Sequence, residues 1–427
     1  MANPEMNEPH KKSKYLTLTY INIAVYATAI SASIFLLLLI LRAAVSAPFK
    51  DELQFSSLFR STSQGQWPPL LELISAHNGH PYFILKSLFS FTILHHLPWT
   101  WMMFAQVPLI FISFLIAWKS IAPTDKNIAI ITGITLALLI ITPRQWENLY
   151  WSLQIAFALA LVFSLYGFSQ VQRYLYSLEK SHLYYALIAL LLATISNGSG
   201  IIALSLACIV LFFTGPTNFS RRASAACLIV GVFIFSISLY LSSKKYAGSM
   251  HFSFYDGFSH VLIMLSNAWL SVENEPTKLA TGSLFLIFLV FFVNQSIRKY
   301  QEYMFELLCI ALSTILILGI TISRLGAGIN QPDAPRYVPL VIPAAIGCVL
   351  LIARGGHKRI LFLCLAVSIF SFLSSATSEW KITPYRHNNL AEELHNLCTK
   401  GIISNADGSL YGDAESIANL QRVFCQQ

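Results

Sequence analysis

Two carboxylates, Asp51 and Glu52, stand side by side in "SAPFKDELQFSSLFR", directly after the first long apolar run. Adjacent acids raise one another's pKa, and a partly buried one is suited to taking a proton from an alcohol. Which of the two would be the base stays open. A third acid, Glu147, lies in "TPRQWENLYWSLQ" (142–154) among Arg144, Trp146, Asn148, Tyr150 and Trp151. A carboxylate at the mouth of an apolar run is costly unless paired or solvated, whereas the aromatics also fit an ordinary headgroup-level belt.

Arginines and lysines supply the complementary charge. "SRLGAGINQPDAPRYVPLVIP" (323–343) is rich in Gly and Pro and holds Arg324, Asp333 and Arg336. Arg336 enters an apolar run at once, so its guanidinium sits at phosphate depth, either gripping a phosphate with two parallel bonds or pairing with Asp333. Lys244 and Lys245, in "SSKKYAGSMHFSFYDGFSH" (242–260), are phosphate ligands or snorkelling lysines. Around "HNGHP" (77–81), His77 and His80, with Trp67, Arg144 and Trp146, are candidates for binding a hydroxylated substrate. Two histidines three apart do not make a metal site, so no metal and no cofactor are expected, a divalent ion being left open.

These groups need a scaffold, and composition names it. The 427 residues are 55% hydrophobic and only 11% charged, against roughly 25% charged in a soluble domain. Eleven apolar runs, near 16–42, 99–118, 127–142, 150–170, 183–196, 200–214, 223–242, 280–296, 303–322, 337–353 and 359–377, approach the roughly 20 residues that cross a bilayer. The expected fold is all-α: a polytopic transmembrane bundle of about eleven spans. The stretch 80–96 is too short, carries Lys86 and reads as an interfacial helix within a long first loop, 43–98. "QWPPLLELI" starts another short helix there, with Pro at its beginning. "NGSG" (197–200) reads as a tight turn between two spans.

Charge sets the sides. With the N-terminus inside, half of the 28 basic residues fall in short inner segments, and 14 of the 20 acids fall outside. The net charge of +8 is then a topology signal, and no nucleic acid is expected as a partner. The N-terminal segment reads as a retained, basic-anchored first span rather than a removable signal. Residues 1–377 form the membrane module, and 378–427 an outer tail in which Cys398 and Cys425 can form a disulfide in an oxidising compartment. Walker A, G-x-G-x-x-G and H-E-x-x-H motifs are absent from the sequence.

The layout resembles the GT-C superfamily of membrane glycosyltransferases, which take sugars from polyprenyl phosphates on the outer face of the membrane. The likeness rests on the acidic pair soon after the first span, the interfacial helices behind it, the acid of the next outer loop and a later outer arginine. "HNGHP" and "ENLYWSLQ" (147–154) are similar to segments that often read His-Asn-Glu-His-Arg and "ENLLWGFQ" in bacterial relatives that decorate O-antigen, including serotype-converting glucosyltransferases. Gly79 and Pro81 depart from that pattern. The resemblance implies Asp51 as general base with Glu52 as neighbour or substitute, Glu147 as the second-loop acid and Arg336 on the donor phosphate. It further implies an inverting transfer of a sugar, glucose above others, to lipopolysaccharide O-antigen or another surface glycan. The setting would be a bacterial inner membrane, with the N-terminus cytoplasmic and the C-terminus periplasmic. A transporter or flippase, and an O-antigen polymerase or ligase, are the rival readings.

Overall fold

The structure is a computed structural model describing residues 8–46, 52, 55–77, 80–120, 125–241, 254–270, 274–324, 334–401 and 414–425. The chain begins with α1 (Glu8–Ala43), followed by two short helices, α2 (Ser56–Ser63) and α3 (Leu70–Ile74). A two-residue hairpin, β1 (Ala76–His77) and β2 (His80–Pro81), pairs His77 with His80 and leads into α4 (Phe83–Leu94). Then come α5 (Trp101–Lys119), α6 (Lys126–Ile140), the single-turn α7 (Trp146–Leu149) and α8 (Ile155–Ser177). Next are α9 (Lys180–Ser196), α10 (Ser199–Thr214), α11 (Asn218–Tyr240) and α12 (Phe254–Ser266). The remainder is α13 (Glu275–Ser296), α14 (Met304–Arg324), α15 (Val338–Arg354), α16 (Lys358–Lys400) and α17 (Ala414–Phe424).

Among the described residues nine helical segments are long and apolar enough to cross a membrane, and each of the eleven apolar runs is helical. The chain is therefore an all-α polytopic bundle. The two runs below that length are α9 and α10, of 17 and 16 residues, joined at Asn197–Gly198. Local chemistry starts several spans where the sequence changes character. Asp125 caps α6 by accepting from the Asn127 and Ile128 amides, and Thr217 with Ser220 forms a capping box on α11. At α4 the helix has 12 residues, about 18 Å, well short of a hydrocarbon core of roughly 30 Å.

The bundle core is centred on α15, whose span is 94% buried, so this helix runs through protein rather than along lipid. A second apolar core stands at one end of the bundle. It joins Phe55, Leu58 and Phe59 of the first loop and α2 to Phe89 of α4 and Trp99, and closes with Leu397 of α16 and Leu420 and Phe424 of α17. Trp99 is its hub, edge-on to Phe424 at 5.2 Å and 4.6 Å from Phe89. The Cys398–Cys425 disulfide ties the end of α16 to the end of α17 beside this core.

α16 accounts for that arrangement. Its 43 residues run about 65 Å, twice the thickness a span needs, so its second half must project beyond the bundle. The boundary expected at 377/378 falls inside this continuous helix, and Leu397, Leu420 and Phe424 beyond it pack with the first loop. At the opposite end lie the basic turns. There Lys358 binds Asp125 at 2.6 Å and holds that exposed carboxyl below its usual range. Arg354 meets Glu306 at 2.8 Å and donates to the Glu302 and Ser120 carbonyls.

Candidate functional site

The segment 142–154 interrupts the passage from α6 to α8 with two 3-10 turns and α7. Pro143 ends the α6 helix pattern, and the Thr142 hydroxyl accepts from the Arg144 amide to shape the first turn. Irregular backbone cannot face lipid, and here it does not: Arg144, Gln145, Glu147, Asn148, Ser152 and Gln154 are all buried. This polar knot sits at the end of the bundle carrying the second core. Four distant parts of the chain meet on it.

Glu52 is the first. Its carboxylate is fully buried and accepts from Trp99 Nε1 at 3.0 Å, Ser152 Oγ at 2.6 Å and the Leu153 amide at 2.5 Å. A carboxylate so supplied with donors pins the first loop to the knot and has little capacity left for a substrate proton. The geometry is that of a clamp. Asp51, the other half of the pair, lies outside the described residues.

Arg336 is the second. It pairs with Glu147 at 2.9 Å; Asp333, the other partner the sequence offered, lies outside the described residues. Glu147 is 5% exposed in its side chain and Arg336 28%, so the acid is sealed while the guanidinium reaches outward. The Asn148 amide donates to the Pro335 carbonyl at 3.1 Å, a second stitch between the same two segments. The third part is α12: Arg144 donates to the Asn267 side chain at 2.8 Å and is itself buried, tying the knot to the helix end.

The fourth part is the projecting half of α16. Arg386 stacks on Trp146 with its Cζ 3.2 Å from the ring centroid and donates to Glu379 at 3.2 Å. Trp380 carries Arg42, from the end of α1, at 3.8 Å. Tyr150 lies in the fields of Glu379, Arg386 and Arg42, and its burial raises the phenol well above its usual pKa, so it stays a neutral hydroxyl. Guanidinium groups stacked by their faces keep N–H edges available in the ring plane, the geometry suited to phosphate oxygens.

The hairpin forms an adjoining aromatic wall. His77 stacks near Phe55 at 4.4 Å, and His80 lies 5.5 Å from Tyr82 and 6.2 Å from Phe157. His80 also presses on the "NGSG" turn: a Cβ added at Gly198 would come within 2.5 Å of His80 Nδ1. That turn therefore needs glycine for close approach. Behind the hairpin, Lys86 donates to the Glu72 and Ser75 carbonyls and to Ser75 Oγ, and burial pushes its ammonium down to about 8.

Of the other expected residues, Trp67 is half exposed beside α3 and is not brought to the knot. Lys244 and Lys245 lie outside the described residues, as does the Arg324 side chain at the end of α14. Four residues that the sequence reading missed, Arg42, Glu379, Trp380 and Arg386, lie at the centre. One signal was available: Phe372, Glu379 and Arg386 recur every seven residues, which places them on one helical face. Among the described residues, no group of three or more His, Cys, Asp or Glu side chains could hold a metal ion. No protein-family model matches the chain, and no curated protein matches it.

Proposed function

We propose that the chain is an inverting GT-C-type glycosyltransferase that moves a hexose, glucose above others, from a polyprenyl phosphate to a surface glycan such as O-antigen. The site would face the periplasm of a bacterial inner membrane. One observation carries the reading: the first loop and Arg336 both dock on segment 142–154, through Glu52 with Ser152 and Leu153, and through Glu147 with Arg336. The expected acidic loop and the expected arginine thus share one end of the bundle.

The chemistry follows from the leaving group. A polyprenyl phosphate departs as a stable anion, so it needs positive charge at its oxygens rather than a proton donor. Arg336, oriented by Glu147, supplies that charge. The acceptor hydroxyl oxygen attacks the anomeric carbon while the bond from that carbon to the phosphate oxygen breaks. The bonding pair leaves with the phosphate, and the hydroxyl proton passes to Asp51 as base. Attack opposite the leaving group inverts the anomeric centre. Glu52 serves as the clamp that fixes the chain next to the base, a positioning role rather than a catalytic one. His77 and His80 lie on the wall where an acceptor sugar would stack.

The distribution of buried charge favours this over a transporter. Transporters concentrate ionisable groups near the midplane, whereas Glu52, Arg144 and Glu147 lie at the knot, and Glu306 is paired with Arg354 among the basic turns. The test is transfer from a synthetic polyprenyl-phosphate sugar by the purified chain. Asp51→Asn should lower turnover by roughly 10²–10⁴, the usual contribution of a general base. Turnover within threefold of wild type would remove Asp51 from the role.

A further inference from the structure

The buried face of α17 is where the tail meets the first loop. Leu420, Val423 and Phe424 are all buried there. Phe424 stands edge-on to two aromatics, Phe59 of α2 at 5.7 Å and Trp99 at 5.2 Å. The Trp99 ring is 2% exposed, and its Nε1 donates to Glu52 at 3.0 Å. On the far side of Glu52 come Ser152 Oγ and the Leu153 amide of the knot. The Leu153 side chain returns to the same apolar core as Phe424. A continuous line of contact thus runs from α17 through Trp99 and Glu52 to segment 142–154.

α17 does not hold that place by helix propensity. It has 11 residues, fewer than the roughly 12–15 at which an isolated helix is even marginal in water. Two ties join it to α16: the Gln421 side-chain amide donates to the Leu397 carbonyl at 2.8 Å, and Cys425 is bonded to Cys398. Cys425 follows Phe424 directly, so the covalent anchor and the aromatic plug move together. Bridging a separation of 27 residues favours docked over undocked α17 by up to roughly 400-fold on chain-entropy grounds. Both bridged cysteines are partly exposed, whereas the other five are buried thiols. An agent dissolved in water therefore reaches this pair first.

We propose that α17 is a redox latch on the first loop: with the Cys398–Cys425 bridge closed it covers Trp99 and keeps Glu52 on the knot, and with the bridge reduced it releases them. Closure is a thiol–disulfide exchange. One cysteine thiolate attacks the disulfide of an exchange partner, expels one partner thiol and leaves a mixed disulfide. The second cysteine thiolate then displaces the other partner sulfur. Two protons and two electrons pass from the cysteine pair to the two departing thiols, and a dithiol reductant runs the exchange backward. Trp99 acts as a positioning residue, since it reaches the knot only through Glu52. The latch regulates the site of the proposed function, but its contacts are the same whether or not that site transfers sugar.

The test is amide hydrogen exchange on the full chain in nanodiscs, with and without a phosphine reductant. Reduction should speed exchange of α17, α2 and the Leu153 amide by at least about tenfold, while the spans α8 and α15 keep their rates. Oxidised glutathione should restore the slow rates. The double variant Cys398→Ser with Cys425→Ser should exchange fast and ignore the reductant. Phe424→Ala keeps the bridge and should loosen α2 and Leu153 even in oxidised protein. Reduction that loosens α17 but leaves α2 and Leu153 within about twofold of their oxidised rates would overturn the latch. Equal loosening of α8 would overturn it too, by making the bridge a global staple. The outcome separates from that of the transferase reading. Sugar transfer undiminished in protein whose loop has been released leaves the transferase standing and sinks the latch. A reduction-dependent loop in a protein that transfers no sugar in either state upholds the latch and sinks the transferase.

Discussion

Glu52 offers the sharpest separation between a clamp and a catalyst. Replacing it by alanine strips the acceptor from three donors, Trp99 Nε1, Ser152 Oγ and the Leu153 amide, all at a site with no solvent exposure. A buried donor left unsatisfied costs about 1–3 kcal/mol. The serine hydroxyl can rotate to another acceptor, but the indole and the backbone amide cannot. Two stranded donors and the vacated volume together give a loss of about 3–5 kcal/mol for Glu52→Ala. Glu52→Gln keeps the shape and one acceptor oxygen but turns an NH₂ toward a donor, so about 1–3 kcal/mol is expected. Ser152→Ala removes one charge-assisted bond while two donors continue to hold the carboxylate, and about 1–2 kcal/mol is expected. Thermal unfolding in nanodiscs, with trypsin accessibility of the first loop as a local probe, should give the order Ala, Gln, then Ser152→Ala. An unfolding temperature for Glu52→Ala equal to wild type would refute the clamp. So would a Glu52→Gln protein of undiminished stability that has lost all transfer, because that pattern belongs to a base.

Further expectations follow from other contacts. Arg336→Ala should cost about 2 kcal/mol, below the roughly 3–5 of a fully buried pair because Arg336 is partly exposed; a double-mutant cycle with Glu147→Gln should return a coupling of about 1–3 kcal/mol, and strict additivity would deny the pair. Lys86 has a folded pKa near 8 against an ordinary value of 10.5, so between those limits the unfolded chain holds the extra proton and stability rises with pH, by at most about 3 kcal/mol. Lys86→Met should lack that rise in pH-scanned unfolding, and parallel pH profiles for the two proteins would contradict it. Because the Cys398–Cys425 bridge closes 27 residues, its loss by Cys425→Ser should loosen α17 by up to about 3.5 kcal/mol on chain-entropy grounds. Limited proteolysis near α17, in wild type with and without reductant, reads this out, and equal cleavage rates would argue against it.

The bundle was legible because span formation is a local, compositional matter. Runs such as 16–42 and 337–353 have only one way to satisfy their backbone in hydrocarbon, and they are α1 and α15. α4 was legible as a non-span for the same reason, by its length and by Lys86. The end of the last span was not. Apolar residues stop near 377 and Pro384 argues for a break, yet α16 continues to Lys400, where Leu397 joins the second core. With the helix end misplaced, Glu379 and Arg386 read as tail charges, and the stacking of Arg386 on Trp146 stayed hidden. Contacts such as Glu52 with Ser152 join residues a hundred positions apart, and no local pattern announces them. Glu147 and Arg336 were each singled out by being charges at the mouth of a span, but their pairing with one another emerged only from three-dimensional packing.

The most direct measurement is turnover itself: the purified chain in nanodiscs, a panel of C55 polyprenyl-phosphate hexoses as donors, and O-antigen polysaccharide as acceptor. The proposal predicts one glycosidic bond formed for each polyprenyl phosphate released, with an inverted anomeric centre and a strong loss in Asp51→Asn. Release of no polyprenyl phosphate from any donor, by protein that still binds the lipid, would contradict it.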